Sequence, residues 1–545
     1  MKRGPLWSAA RARRLAQLIA LAAFVVLLVW VRASPGWQPD WPVKLFFLID
    51  PLILIGTWLS AHAAPTLLLA SLVTIAVTLV VGRVFCGWLC PLGALHAAAG
   101  WFFERFWPRR KRRQRWSRWQ LTKYCLLAGM LMMAAFGVHA LCVFDPLVFL
   151  YRSSATALSP AGQWMSEEGS TAIYQADPGV GAMRLTKVTE PAHEFLQHHV
   201  FMRSDEAFLG GGVILLVLIG TLVLNAWRPR FWCRYLCPLG ALLGVFAWRP
   251  WLRRKVDETT CNACDLCRVG CHGAACLSPG ERWKPSECFG CMNCLERCPR
   301  QSLSLAWAAP WSREPKVEPI NLSKRAMFGS ALGGLVGMCL MRINPQARGM
   351  TFNPALIRPP GSRGEREFLQ RCTACGLCIK VCPEGALQPS LTEAGLEGLW
   401  TPRLVPRLGY CEYTCNLCGQ ICPTQAIQPL TLEQKQQTRI GLASFDITRC
   451  IPYAYGRNCM VCEEHCPIPD KAIFVVEVDV PQRDGGTRKV KQPHVDPEKC
   501  IGCGICENVC PYKDGPAIRV MSANESRNPS NQPILPSQAE SDSPY

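Results

Sequence analysis

Residues 261 to 271 read CNACDLCRVGC, and residues 288 to 299 read CFGCMNCLERCP. Cys261, Cys264, Cys267 and Cys271 are followed by Cys288, Cys291, Cys294 and Cys298, so one C-x2-C-x2-C-x3-C run occurs twice in close succession. This spacing lets three thiolates hold three corners of an iron–sulfur cube while the fourth reaches across to a neighbouring cube. Apolar, membrane-like stretches precede the pair and more cysteine quartets follow it. The chain reads as an electron wire with this stretch as its junction.

Four further quartets lie between residues 362 and 520. Cys372, Cys375, Cys378 and Cys382 keep the standard spacing, as do Cys500, Cys503, Cys506 and Cys510. Cys411, Cys415, Cys418 and Cys422 have one extra residue in the first gap, and Cys450, Cys459, Cys462 and Cys466 open with a longer loop. The fourth cysteines of these runs precede Pro383, Pro423, Pro467 and Pro511, which turn the chain away by fixing φ. Of 32 cysteines, 24 fall in the six quartets. A disulfide framework belongs to short secreted chains, not to one of 545 residues. Zinc ribbons separate their two pairs by a long loop, whereas these quartets run nearly unbroken. The quartets therefore predict six 4Fe–4S clusters, with the same cysteines as the iron ligands. Which quartets share clusters stays open. His272 stands where a Pro usually follows the fourth cysteine; Cys276 is an alternative ligand there, but HGAA keeps the usual register and favours Cys271.

The net charge of +19 raises nucleic-acid binding. Much of it sits in short clusters beside apolar stretches: Lys2, Arg3, Arg11, Arg13 and Arg14; Arg109 to Arg113; Arg253 to Lys255. That placement fits the positive-inside rule, and no nucleic-acid partner is expected. Residues 15–33 approach the length of a membrane span and read as a retained helix with a cytoplasmic N-terminus. Residues 43–62 are apolar but broken at Asp50-Pro51, and further spans are expected at 65–83, 120–142 and 207–227.

The apolar half repeats itself. Asp50-Pro51-Leu52 matches Asp145-Pro146-Leu147, and VFCGWLCPLGAL (84–95) matches FWCRYLCPLGAL (231–242). Each half reads as a helix out, an Asp-Pro-Leu turn, a helix in and a Cys-x3-Cys-Pro motif. Cys86 and Cys90, at i and i+4, are expected on one helical face, as are Cys233 and Cys237. The four thiols are candidates for redox or metal chemistry: a further metal or cluster, or thiol–disulfide exchange. The second half carries an insert, 151–206, expected outside the membrane; its His193, His198 and His199 read as solvated rather than metal-binding. Cys125, Cys142 and Cys339 read as packing residues. Residues 321–344 form a weaker apolar segment whose start, Ser323-Lys324-Arg325-Ala326-Met327-Phe328, is like a twin-arginine export signal with Lys in the first position. Clusters inserted before export require a domain that crosses folded. Residues 521–545 are Ser-, Asn- and Pro-rich and predict a disordered tail.

On both Cys-x3-Cys-Pro-Leu-Gly-Ala motifs, four helices and the tandem quartets, residues 1 to about 305 resemble the NapH family of membrane ferredoxins, which includes relatives of NosR. Residues 321 to about 520, with the export-like start and four quartets, resemble the NapG family of exported polyferredoxins. The chain thus looks like a NapH–NapG fusion. The resulting expectation is an α-helical membrane domain, 1–255, with four to five transmembrane helices in two repeats, joined to small α+β ferredoxin-like 4Fe–4S domains. These would be a cytoplasmic two-cluster domain at 256–310 and an exported four-cluster domain at 362–520. The resemblance implies a multi-pass protein of the bacterial cytoplasmic membrane that oxidises quinol, its substrate from the membrane quinone pool. Electrons would go to a periplasmic reductase or cytochrome acceptor, making it a quinol dehydrogenase-type oxidoreductase. Two other classes remain open: a maturation factor whose Cys-x3-Cys-Pro motifs reduce a metal for a respiratory metalloenzyme, and a redox sensor that passes no steady current.

Overall fold

The repeated Asp-Pro-Leu turn is a helix start. Asp50 caps α2 (Pro51–Ala61), with Oδ1 accepting the Leu52 N–H at 2.8 Å, and proline occupies the first helical position. Asp145 caps α6 (Pro146–Ser153) in the same way, accepting from Leu147 and Val148 at 2.8 and 2.9 Å. Both aspartates are fully buried, and Oδ2 of each has no hydrogen-bond partner among the described residues.

The computed structural model describes residues 9–31, 41–106, 116–177, 179–180, 183–184, 186–201, 207–275, 283–309, 311–312, 320–343, 352–481 and 485–532. Lys2, Arg3, the Arg109 to Arg113 cluster, Cys276 and residues 533–545 lie outside them. The chain divides into two compact units. The first holds the helix Ala9–Trp30, then Trp41–Ala157 and Gly211–Leu340; the second holds Leu158–Gly210 and Met341–Tyr545.

The first unit is a helical assembly: α1 (Ala9–Trp30), α2, α3 (Ser71–Val81), α4 (Pro91–Phe106), α5 (Thr122–Ala135), α6, and after the insert α9 (Gly211–Val223), α10 (Phe231–Tyr235) and α11 (Pro238–Phe246). Among the described residues only α1 is long and apolar enough to cross a membrane alone. The segments Trp41–Leu48 and Pro51–Ala61 add a second only if taken as one span, and they are bent by 83°. The expectation of four to five spans is corrected to one or two. The apolar stretches at 65–83, 120–142 and 207–227 do form helices, but each is interrupted short of the roughly 20 residues a bilayer needs. Thr66–Ala70 and Ala140–Val143 are 3-10 turns, and α5 ends before Gly137 at φ +80°. Helix α12 (Lys324–Met341), expected as a membrane segment, is not among the spans. It packs on α5 where Gly129 and Gly334 touch: a Cβ on Gly334 would stand within 2.4 Å of the Gly129 carbonyl oxygen.

In the same unit, β1 (Leu252–Val256) pairs antiparallel with β2 (Leu303–Trp307), closing the two ends of the 261–298 stretch on each other. Glu287, buried immediately before Cys288, ties that stretch to α5. Its carboxylate accepts from Lys123 Nζ at 2.5 Å, Gln120 Nε2 at 3.1 Å and Tyr124 Oη at 3.2 Å.

The second unit contains the insert as the paired helices α7 (Ser159–Ala176) and α8 (Thr186–His199). The first residue of α7 meets the quartet-bearing domain, where Lys380 Nζ donates to Ser159 Oγ at 3.1 Å, and so does the chain beyond α8, where the Leu209 N–H donates to Gln388 Oε1 at 3.0 Å. His193 Nδ1 lies 3.2 and 3.3 Å from the hydroxyls of Ser166 and Ser170, which gives it a structural contact. Two-stranded ladders frame the quartets: β3 (Leu387–Pro389) with β4 (Pro402–Leu404), β5 (Leu442–Phe445) with β8 (Ile518–Met521), and β6 (Ile473–Pro481) with β7 (Thr487–Val495).

The expected disordered tail begins instead as packed chain. Ser522, Ala523 and Glu525 are buried, and Arg527 donates to Glu365 Oε2 and Glu525 Oε2, each at 2.7 Å. Arg358 grips Glu365 from the other side at 2.6 and 3.2 Å. Polar composition did not reveal this, because the arginine's partner lies far away in sequence. Burial alone would raise the Glu365 carboxyl, but Arg358 and Arg527 together hold it down to about 2. Its depressed value contributes stability above the ordinary carboxylate range that is lost as pH falls from about 4.5 through about 2. Glu365→Gln should therefore lower the unfolding free energy near neutral pH by roughly 3 kcal/mol. Anaerobic denaturant titration checks this. The gap between the two proteins should narrow on acidification below about pH 4.5, and an undiminished gap would count against the ion-pair account.

Candidate iron–sulfur centres

Four of the quartets share one backbone device. The residues on either side of the second cysteine take left-handed φ: Ala263 and Asp265, Gly290 and Met292, Ala374 and Gly376, Gly502 and Gly504. Ala, Asp and Met rarely adopt this conformation, and its cost is concentrated at functional loops. Alternating right- and left-handed residues turn successive N–H groups to one side, forming a concave nest for an anion. The two quartets with longer first gaps, at Cys411 and Cys450, lack the pair.

The fourth cysteines cross over. One cavity is lined by Cys372, Cys375, Cys378 and Cys422, a second by Cys466, Cys500, Cys503 and Cys506, and a third by Cys450, Cys459, Cys462 and Cys510. Cys382 stands by Cys411, Cys415 and Cys418. In the first unit Cys271 joins Cys288, Cys291 and Cys294, while Cys298 lies by Cys267 of the Cys261 run. Each run thus brings three thiols to one centre and lends its fourth to the neighbour, a pairing the sequence left open.

The four centres of the second unit follow one another in space. The Cys411 N–H donates to the Cys503 carbonyl at 2.8 Å, and Cys411 and Tyr413 pack on Ile501, Cys503 and Ile505. This joins the Cys411 centre to the Cys500 centre. The Cys372 centre adjoins the former through Cys378 and Cys418, and the Cys450 centre adjoins the latter through Cys462 and Cys506. The sequence 372–411–500–450 therefore has two ends.

Burial pushes the thiols up: Cys372, Cys462 and Cys503 to about 12, Cys375 and Cys450 to about 11. Without a metal these thiols would be protonated, so iron must displace their protons on binding. Among the described residues, no three or more His, Cys, Asp or Glu side chains converge as a single metal ion requires. Wider-set sulfurs around a preformed nest fit a cube better than one ion.

The Cys-x3-Cys-Pro motifs differ from expectation. Cys86 lies in a π-helical turn, Phe85–Leu89, while Cys90 is extended, with φ −69° and ψ 116°, ahead of α4. Cys233 is in α10, and Cys237 is the extended N-cap of α11. Neither pair shares a helical face, because a following proline excludes the helical conformation at the second cysteine. The four thiols nevertheless come within electrostatic reach of one another. The sequence reading missed Arg83, Arg230 and Phe289, which border them; only their adjacency to the motifs could have signalled it. Cys142 Sγ lies 3.5 Å from His139 Nε2, Cys125 is half-buried, and Cys339 is exposed.

Family models described as 4Fe-4S binding domains match residues 63–113 and 209–257, 369–388, and 492–515. The ferredoxin-type protein NapG of Escherichia coli (strain K12) is 35% identical over 166 residues, 30% of this chain and 70% of its own length. The methylamine utilization ferredoxin-type protein MauM of Paracoccus denitrificans (strain Pd 1222) is 36% identical over 202 residues, 36% of this chain and 83% of its own. The putative electron transport protein YccM of Escherichia coli (strain K12) is 26% identical over 305 residues, 53% of this chain and 72% of its own. No solved structure matches.

Crossed ligation predicts how serine substitutions combine. Cys382→Ser and Cys415→Ser would strike one centre, so the double variant should lose about as much iron as either single one. Cys382→Ser with Cys375→Ser would strike two, and the losses should add. Iron and acid-labile sulfide per chain, measured anaerobically, distinguish the patterns; the reverse result would assign each quartet to its own cluster.

Proposed function

Because this chain belongs to the family of ferredoxin-type proteins that includes NapG and MauM, we propose that it is a membrane-attached iron–sulfur electron carrier that oxidises quinol and delivers electrons to a periplasmic reductase. The observation that carries the reading is the ordered row of four thiol-lined centres in the second unit, which gives a current an entrance and an exit. The ligands are the six quartets, from Cys261 to Cys510, shared as the cavities pair them. A 4Fe–4S cube supplies one-electron transfer with no bond made or broken in the protein. The chain's residues do the rest: the nests aim N–H groups at sulfur, the apolar walls exclude water, and the ladders fix the spacing.

On this reading α1 anchors the chain, with the first half acting as a NapH-like domain fused to the NapG-like second half. The helices α7 and α8 support one further point. Ser159, which opens α7, and Leu209, beyond α8, hydrogen-bond to the four-centre domain, which supports placing the insert and that domain on the same side of any membrane.

A second reading is a maturation factor that reduces a metal, favoured by the gathering of four buried thiols at the Cys-x3-Cys-Pro motifs. Anaerobic electron paramagnetic resonance on the detergent-purified protein separates the two. Cluster signals should appear on adding reduced quinol alone. Signals that need dithionite would remove quinol as donor, and stoichiometric copper held by Cys86, Cys90, Cys233 and Cys237 would move the maturation reading ahead.

A further inference from the structure

Cys86, Cys90, Cys233 and Cys237 are all buried, at 7, 6, 7 and 4% exposure. Cys90 Sγ accepts the Gly93 N–H at 3.4 Å and Cys237 Sγ the Gly240 N–H at 3.1 Å, so the first turns of α4 and α11 each direct an amide at a sulfur. Both glycines are closely packed. A Cβ on Gly93 would stand 2.8 Å from the Cys86 carbonyl oxygen, and one on Gly240 would stand 2.6 Å from Arg83 Nη2 and 3.3 Å from Cys237 Sγ.

Two guanidinium groups border the same space. Arg83 and Arg230 are fully buried and lie 4.9 and 5.1 Å from the centre of the Phe289 ring. Arg83 Nη1 donates to the Ser286 carbonyl at 2.7 Å, and Arg230 Nη1 to the Cys86 carbonyl at 3.1 Å. Nε and Nη2 of both have no hydrogen-bond partner among the described residues. The carboxylate of Glu287 is 3.9 Å from Arg83 but already bound closely by Lys123. Buried cations with donors unmade are strongly disfavoured, and four neutral thiols offer them no counter-charge.

We infer that Cys86, Cys90, Cys233 and Cys237 together ligate a further iron–sulfur cluster, with Arg83 and Arg230 as its built-in counter-charges and hydrogen-bond donors. Four thiolates around an oxidised iron–sulfur core carry a net double negative charge, which two guanidinium groups balance. A lone zinc or copper ion fits less well, because the thiols do not converge on one point. The matching family segments, 63–113 and 209–257, each contain one motif; the tertiary structure makes the two motifs one site.

The site has a neighbour. A Cβ on Gly87 would fall within 2.1 Å of the Phe289 carbonyl oxygen, and Trp88 Nε1 donates to the Gly290 carbonyl at 3.0 Å. The loop after Cys86 therefore lies on the loop between Cys288 and Cys291. The one electron taken up by the added cluster is exchanged with the centre at Cys271, Cys288, Cys291 and Cys294, and no proton moves. This last step rests on the electron-carrier reading.

The test is the iron and acid-labile sulfide content of the anaerobically purified full chain against the C86A/C90A/C233A/C237A variant. The variant should lack about two or four irons per chain, with equal sulfide, and keep the signals of the six quartets. Equal iron in both proteins, or loss of copper or zinc instead, would overturn the inference. Should that variant not fold, R83Q/R230Q is the second probe. It should shift the midpoint potential of one resonance signal downward and leave the others in place; unmoved potentials throughout would reject the role of the arginines. Neither measurement uses quinol. A protein that quinol cannot reduce would lose its proposed donor without changing the iron count.

Discussion

Glu287 joins the helical repeats to the first ferredoxin-like stretch. It is buried directly before Cys288 and gathers Lys123, Gln120 and Tyr124 from one helix and the turn preceding it. A buried carboxylate is tolerated only when its charge and lone pairs are satisfied, so this contact fixes the angle and register at which the cysteine loop meets the helices. From it follow the position of Phe289, the arginines on either side of that ring, and the closeness of the Cys86 loop to the Cys288 loop. A hydrophobic contact of equal area would hold the pieces together without specifying where the thiols stand.

The second unit solves the same problem with backbone rather than charge. Left-handed residues flank the second cysteine in two of its runs, and short antiparallel ladders bracket the loops. The crossed fourth cysteines make adjacent centres structurally dependent on one another. Each pair gathers its thiols from both runs. The contact of Cys411 with Cys503 then turns two pairs into a row. Order along a row is the property an electron carrier needs most, since transfer falls steeply with distance and depends on neighbours alone.

Membrane topology was where sequence reasoning went furthest beyond the structure. Hydropathy measures how apolar a stretch is but not whether lipid or protein covers it. The stretch at 120–142 contains Lys123, which is buried against Glu287, and its helix stops after 14 residues. At 207–227 the helix gives way to a turn where Asn225 bonds His96 at 2.7 Å. Both are polar commitments to partners distant in sequence. The pairing of cysteines in the Cys-x3-Cys-Pro motifs failed for a local reason that was legible all along: the proline after Cys90 and Cys237 bars the helical conformation that i, i+4 facing requires.

What the sequence by itself determined was whatever rests on short spacings. The quartets, their iron–sulfur chemistry, the Asp-Pro-Leu helix starts and the internal repeat are all set within a dozen residues, because ligand geometry and helix caps are local. The tertiary structure alone decided which run lends its fourth cysteine to which centre. It also ordered the centres, bound 522–531 through Arg527 to Glu365, and brought two arginines and four thiols into one buried space. Those outcomes turn on burial and charge balance between residues far apart in the chain. Their energies exist only once the chain has folded around them.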